Sequence, residues 1–129
     1  MNPSVLVVGA GPTGLTLASE LFRRGHSPRV IDKAGQATTL SKAIVVHART
    51  LEVFADMGLA SALLERGRLL TRVNMYAGGE VVVRASFDEL ETAYPFALAV
   101  SQAETEAVLG EHLHRLGGQV ERGVELVRL

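Results

Sequence analysis

Near its start the chain carries four apolar, strand-favouring residues, Val5-Leu6-Val7-Val8, that run directly into Gly9-Ala10-Gly11-Pro12-Thr13-Gly14. Behind this Gly-x-Gly-x-x-Gly turn, Leu15 to Phe22 repeats its apolar residues at helical spacing. Strand, tight turn and helix in immediate succession admit few folds, and each glycine has a separate duty in that arrangement. Gly9 turns the chain, Gly11 lets backbone approach a pyrophosphate, and Gly14 lets the helix pack closely on the strand. The start of such a helix offers unpaired N–H groups and a partial positive charge, so it accepts a diphosphate without lysine or arginine.

A glycine-rich turn alone is weak evidence for a dinucleotide site, and the context supplies the test. Pro28-Arg29-Val30-Ile31-Asp32 reads as a second strand that ends in an acid, eighteen positions after Gly14. About twenty is the distance expected for a carboxylate that holds an adenosine ribose. A carboxylate there accepts from free ribose hydroxyls and repels a 2′-phosphate, which disfavours NADP and leaves FAD and NAD.

The 129 residues amount to one domain at most, enough for a core but short for a complete flavin or nicotinamide enzyme. With 47% hydrophobic and 21% charged residues the chain is neither disordered nor fibrous, and its net charge of −1 argues against nucleic acid or anionic membrane as a partner. It has no cysteine, so disulfides, thiolate catalysis and Cys-ligated metals are excluded. The apolar start lacks a basic leader and is broken by glycine and proline, so cytoplasm is expected rather than secretion. No apolar run approaches the roughly 20 residues of a membrane span.

Further along, Lys33 to Lys42 reads as a polar loop, and a loop leaving the carboxyl end of a strand is where ligands lie in an open α/β sheet. Helices are expected over Thr50–Met57, with Leu51, Phe54 and Met57 on one face, and over Leu59–Arg66, ended by Gly67. The period then changes: Arg72–Ala77 and Glu80–Ala85 flank Gly78-Gly79 as a hairpin. Ala93–Val100 is a strand candidate, and Ser101 with Glu104 reads as a capping box for a helix running to Leu116. Gln119–Arg122 is a further strand, expected beside the second to give the parallel order 3-2-1, and Val124–Leu129 reads as another strand. The fold class is therefore α/β: a Rossmann-like domain with a βαβ core over 4–32, an excursion with a hairpin over 70–86, and a helix and third strand over 102–123. A chain that stops on an uncapped apolar stretch looks like the front part of a longer protein, and the edge of its first strand is expected to drive self-association.

Over essentially all of its length the chain resembles the N-terminal part of FAD-dependent aromatic-ring monooxygenases of the para-hydroxybenzoate hydroxylase class, in their phenol and polyketide hydroxylase branch. The resemblance rests on Val5–Leu15, Val30-Ile31-Asp32-Lys33, Ser41-Lys42-Ala43, Ala48-Arg49-Thr50-Leu51-Glu52-Val53-Phe54 and Gln102-Ala103-Glu104-Thr105-Glu106, of which the last two are the most diagnostic. It implies FAD with its pyrophosphate over Gly9, Gly11, Pro12, Thr13 and Gly14 and its ribose on Asp32. It also implies Lys33 near the adenosine half, Lys42 and Gln102 toward the middle and flavin half, and Leu126 bordering the adenine. The activity implied is hydroxylation of an electron-rich ring with O2, NAD(P)H being the electron donor. Lys42 stands where the family usually carries arginine, which replaces a planar fork by a point charge. The family's later Asp-Gly and Gly-Asp motifs do not occur in these residues, so the chain by itself is expected to be inactive.

No catalytic or metal-binding residue is assigned. His112 and His114, two apart on a helix, point in different directions, and Glu104 with Glu106 at a helix start favours the dipole more simply than an acid/base pair. His26 reads as a polar residue at a turn, while His47 and Arg49 lie beside the cofactor-facing loop without a defined role. The alternatives are an NAD-dependent dehydrogenase, whose quicker strand–helix alternation the Lys33–Ala43 loop and the hairpin interrupt, and a non-catalytic dinucleotide-binding module.

Overall fold

The computed structural model describes residues 4–39 and 43–128. In chain order its elements are β1 (Leu6–Val8), α1 (Pro12–Arg23), β2 (Arg29–Asp32), β3 (Ala43–Val46), α2 (Ala48–Asp56), α3 (Ala60–Arg66), β4 (Arg68–Leu70), β5 (Arg72–Ala77), β6 (Glu80–Ser86), β7 (Ala97–Ser101), α4 (Gln102–Arg115) and β8 (Val120–Arg122). They divide into two compact units, one formed by the chain up to Lys42 together with Gln102–Leu129, the other by Ala43–Ser101.

The first unit is a parallel sheet of order β1-β2-β8 with α1 and α4 packed on each other. The turn between β1 and α1 is made by Gly9, whose φ of 98° lies in the region that favours glycine, and by Gly14, where a Cβ would stand 1.9 Å from the Gly9 carbonyl oxygen. No side chain fits at Gly14, because what it would strike is backbone. The helix can therefore begin directly over the end of the strand. Leu15 and Ala18 of α1 and Val108, Leu109 and Leu113 of α4 are buried together with Val7, Val30 and Ile31 of the sheet. Gly118 permits the turn after α4, since a Cβ there would strike the side chains of Leu113 and Phe22. Glu121 on β8 pairs with both ends of the Arg29 guanidinium on β2, at 2.7 and 2.8 Å, a bidentate contact that favours this register.

The second unit holds an antiparallel sheet of order β3-β7-β4 and the separate β5-β6 hairpin around Gly78-Gly79. Leu51, Phe54 and Met57 are all buried, as their common helix face requires, and with Leu59, Leu63 and Leu98 they make this unit's core. Gly67 ends α3 where a Cβ would press on the Leu98 side chain, so α3 packs tightly on β7. Every residue of β5 is exposed.

Several sequence expectations are corrected. The first described helix of the second unit begins at Ala48 rather than Thr50. β3 and β4 belong to no pattern read from the sequence, because four and three residues without turn signals are too short for periodicity to show. The strand before α4 spans Ala97–Ser101 rather than Ala93–Val100, and it pairs antiparallel with β3 and β4. Val124 to Arg128 forms no strand: after the turn at Gly123 the chain is tied to the end of β2 by Gly123 N–H to Ala34 O and Val124 N–H to Asp32 O, both 3.1 Å.

Replacing Gly14 by alanine is expected to destabilise the protein by about 3 kcal/mol or more, because backbone has to move, and a urea midpoint close to wild type would contradict this. Among the described residues no strand pairs with the outer edge of β1, where Leu6 and Val8 are exposed. The isolated chain should therefore self-associate, and Leu6→Lys should shift its sedimentation to monomer. A wild-type chain already monomeric at all concentrations would remove that role from the edge.

Candidate functional site

A cavity of about 450 Å3 opens in the first unit where the β1–α1 turn, the end of β2 and the start of α4 converge. Gly11, Asp32, Gln102, Glu106 and Arg122 all line it. Gly11 occupies the N-cap position of α1 with no side-chain cap, Pro12 follows at the first helical position, and the first turn contains no acid. The N–H groups at this end are therefore not taken up by an acid of the helix's own first turn. A Cβ at Gly11 would find only the Glu106 carboxylate oxygen, at 3.9 Å, so the missing side chain leaves the backbone open to a close ligand.

Asp32 ties the site together. Its Oδ2 accepts from the Ala10 N–H at 2.7 Å and its Oδ1 from the Ala34 N–H at 2.8 Å, while Arg122 Nη1 stands 3.4 Å from Oδ2. The Ala10 N–H, then that of Ala34, and more weakly the Arg122 and Lys33 charges, hold the carboxyl below its ordinary range against an opposing effect of burial. An ionised carboxylate offers about four acceptor positions, so after two backbone bonds it retains capacity for a ribose hydroxyl. This carboxylate and the open Gly11 backbone are the chemistry a ribose and a diphosphate need, so the residues present fit a dinucleotide.

A second cavity, of about 320 Å3, shares Asp32 and is lined also by Gly9, Lys33 and Leu126. Lys33 and Leu126, distant in sequence, thus lie together on one side of Asp32, while Gly11 and Gln102 lie together on the other. Pro12 and Thr13 line neither; with Thr16 and Leu17 they border a separate open recess of about 400 Å3. Gly14 is spent on the contact with Gly9. Lys42 lies outside the described residues.

Two lining residues escaped the sequence reading. Arg122 is brought to Asp32 by the parallel register of β2 and β8, which pairs those two positions, and strand register was the signal that could have found it. Glu106 differs from the expected dipole role. It is buried, unlike the exposed Glu104, and it accepts from Gln102 Nε2 at 2.7 Å. Arg49 pairs with Glu52 at 2.8 Å on the surface of the second unit, and His47 is exposed at the start of α2. His112 is buried, and burial is the first cause that lowers its pKa. Among the described residues no group of three His, Asp or Glu could hold a metal ion, and no helix is long and apolar enough to cross a membrane.

The geometry fits a dinucleotide-binding α/β unit, and residues 2–129 match the FAD-binding domain family. The chain belongs to that family, and FAD is its cofactor. It is 48% identical over 97% of its length to 6-methylpretetramide 4-monooxygenase of Streptomyces rimosus and 37% identical over 99% to pentachlorophenol 4-monooxygenase of Sphingobium chlorophenolicum. It spans about a quarter of each of those proteins, 23% and 24%. Among solved structures, p-nitrophenol 4-monooxygenase of Pseudomonas putida DLL-E4 superposes with a TM-score of 0.86 at 25% identity, over 94% of this chain and 32% of that one.

Because the folded-state pKa of Asp32 is lowered, its contribution to stability is present above the unfolded value near 3.8 and is lost as pH falls through the folded value. Asp32→Asn, which can accept only one of the two N–H bonds, should cost about 1–3 kcal/mol at pH 7. The gap between the urea midpoints of wild type and variant should narrow below about pH 4. A gap independent of pH would show that the Asp32 charge does not stabilise the turn.

Proposed function

We propose that this chain is the N-terminal FAD-binding part of a flavin-dependent monooxygenase that hydroxylates a small aromatic or polyketide ring. The observation that carries the reading is the meeting of the uncapped α1 N-terminus, the bare Gly11 backbone and the Asp32 carboxylate in one cavity of a chain from the FAD-binding family. The pyrophosphate is assigned to the Gly9, Gly11, Pro12, Thr13 and Gly14 turn, and the adenosine ribose to Asp32. Lys33 and Leu126 are assigned to the adenosine end, with Lys42 and Gln102 toward the flavin. Bound FAD supplies electron transfer from NAD(P)H and activation of O2. The chain's own residues bind and orient it. No residue described here is proposed as acid, base or nucleophile.

The substrate class rests on the relatives, whose names specify 6-methylpretetramide and pentachlorophenol. On this reading residues 1–129 form part of one FAD-binding domain, with the parallel order 3-2-1 as the nucleotide half and the hairpin as an inserted excursion. The site of action is the cytoplasm.

The test is titration of FAD into the product of the full reading frame that carries this chain, followed by quenching of flavin fluorescence. Wild type should bind, and Gly11→Asp should weaken binding roughly 100-fold or more by setting a carboxylate against the diphosphate, with an unchanged circular dichroism spectrum. A folded wild-type protein that ignores FAD, or prefers NAD, would sink the proposal.

A further inference from the structure

Gln102 and Glu106 stand one helical turn apart at the start of α4, and both line the cavity of Gly11 and Asp32. A pair at this spacing on an exposed helix would be ordinary helix support. Here Glu106 is 7% exposed, and its oxygen is the atom nearest to where a Gly11 side chain would be. An ionised carboxylate only accepts hydrogen bonds, so the 2.7 Å contact to Oε1 requires Gln102 to turn its NH2 group toward Glu106. A glutamine without such a partner can present either end of its amide. Here one of the two N–H donors is held by Glu106, which fixes which way the amide is turned and leaves its carbonyl oxygen and its second N–H to a ligand.

We infer that Glu106 is a positioning residue of the cofactor site: it fixes the Gln102 amide so that the carbonyl faces the cavity as an acceptor for a hydroxyl group of the cofactor. The inference rests on the FAD reading and deepens it. A carbonyl cannot pair with diphosphate oxygens, so the acceptor face of this amide suits a hydroxyl donor rather than the phosphates. The adenosine ribose has its acceptor in Asp32. The remaining hydroxyl donors of FAD are those of the ribityl chain, and the Gln102 carbonyl is the group that reads them.

The experiment compares Glu106→Gln with Glu106→Ala in the full reading frame. Both substitutions remove the negative charge, but only glutamine keeps an oxygen that accepts from the Gln102 amide, so the difference between them isolates the positioning contact. FAD affinity is read by flavin fluorescence, ADP affinity by calorimetry, and folding by thermal melting. E106A should bind FAD roughly three- to tenfold more weakly than E106Q, the range of one net hydrogen bond, while the two bind ADP within roughly twofold of each other. Gln102→Ala should cost less in E106A than in wild type, because the carbonyl contact is already weakened there. Equal FAD affinities for E106A and E106Q would overturn the positioning role alone, as would an ADP affinity that falls in parallel or a fully additive double variant. A folded wild-type protein that binds ADP but not FAD, or neither, would overturn the FAD reading and this role with it.

Discussion

The first turn of α1 lies against the carbonyl of Gly9 so closely that no Cβ can be placed at Gly14, and the geometry of the β1–α1 turn follows from that contact. Were the helix to start farther from the strand, its free N–H groups would point past the end of the sheet. The close approach brings them over the Gly9 turn, and burial of Leu15 and Ala18 against α4 and the sheet holds the helix there. A helix end with free N–H groups is thus held over the turn by packing rather than by charged side chains.

Asp32 then fastens that turn to the neighbouring strand. A carboxylate whose two oxygens accept from Ala10 and Ala34 is held in one orientation, and Arg122 arrives beside it from β8. The same group has a structural role and lines the cavity with acceptor positions to spare, because an ionised carboxylate has more of them than the two backbone bonds use. The β1–α1 turn and the end of β2 are therefore one hydrogen-bonded unit, and a change at Asp32 acts on both.

How much could be read in advance depended on the range of the interactions involved. The β1–α1–β2 segment was legible because strand, glycine turn, helix and terminal acid are neighbours in sequence, and each step is enforced by local backbone sterics. The faces of α2 and α3 were legible from their period, with Leu51, Phe54 and Leu63 buried. β3 and β4 were not, since each is strand only by virtue of pairing with β7, whose partner residues lie about thirty positions from β4 and more than fifty from β3. Val124 to Arg128 is β-prone by composition, yet hydrogen bonds from Gly123 and Val124 to the end of β2 hold the start of this segment outside any ladder.

The sequence by itself determined the glycine turn, the helix that follows it, the acid at the end of the second strand and the cofactor class these imply, because all of them lie within one local stretch of chain. Only the tertiary structure decided that Arg122 faces Asp32, that Lys33 and Leu126 share a cavity, and that Glu106 is buried against the turn with its carboxylate holding Gln102. A helix start carries no mark of which side will be covered. Burial depends on what packs over it, and here that is settled by the meeting of α4 with the β1–α1 turn.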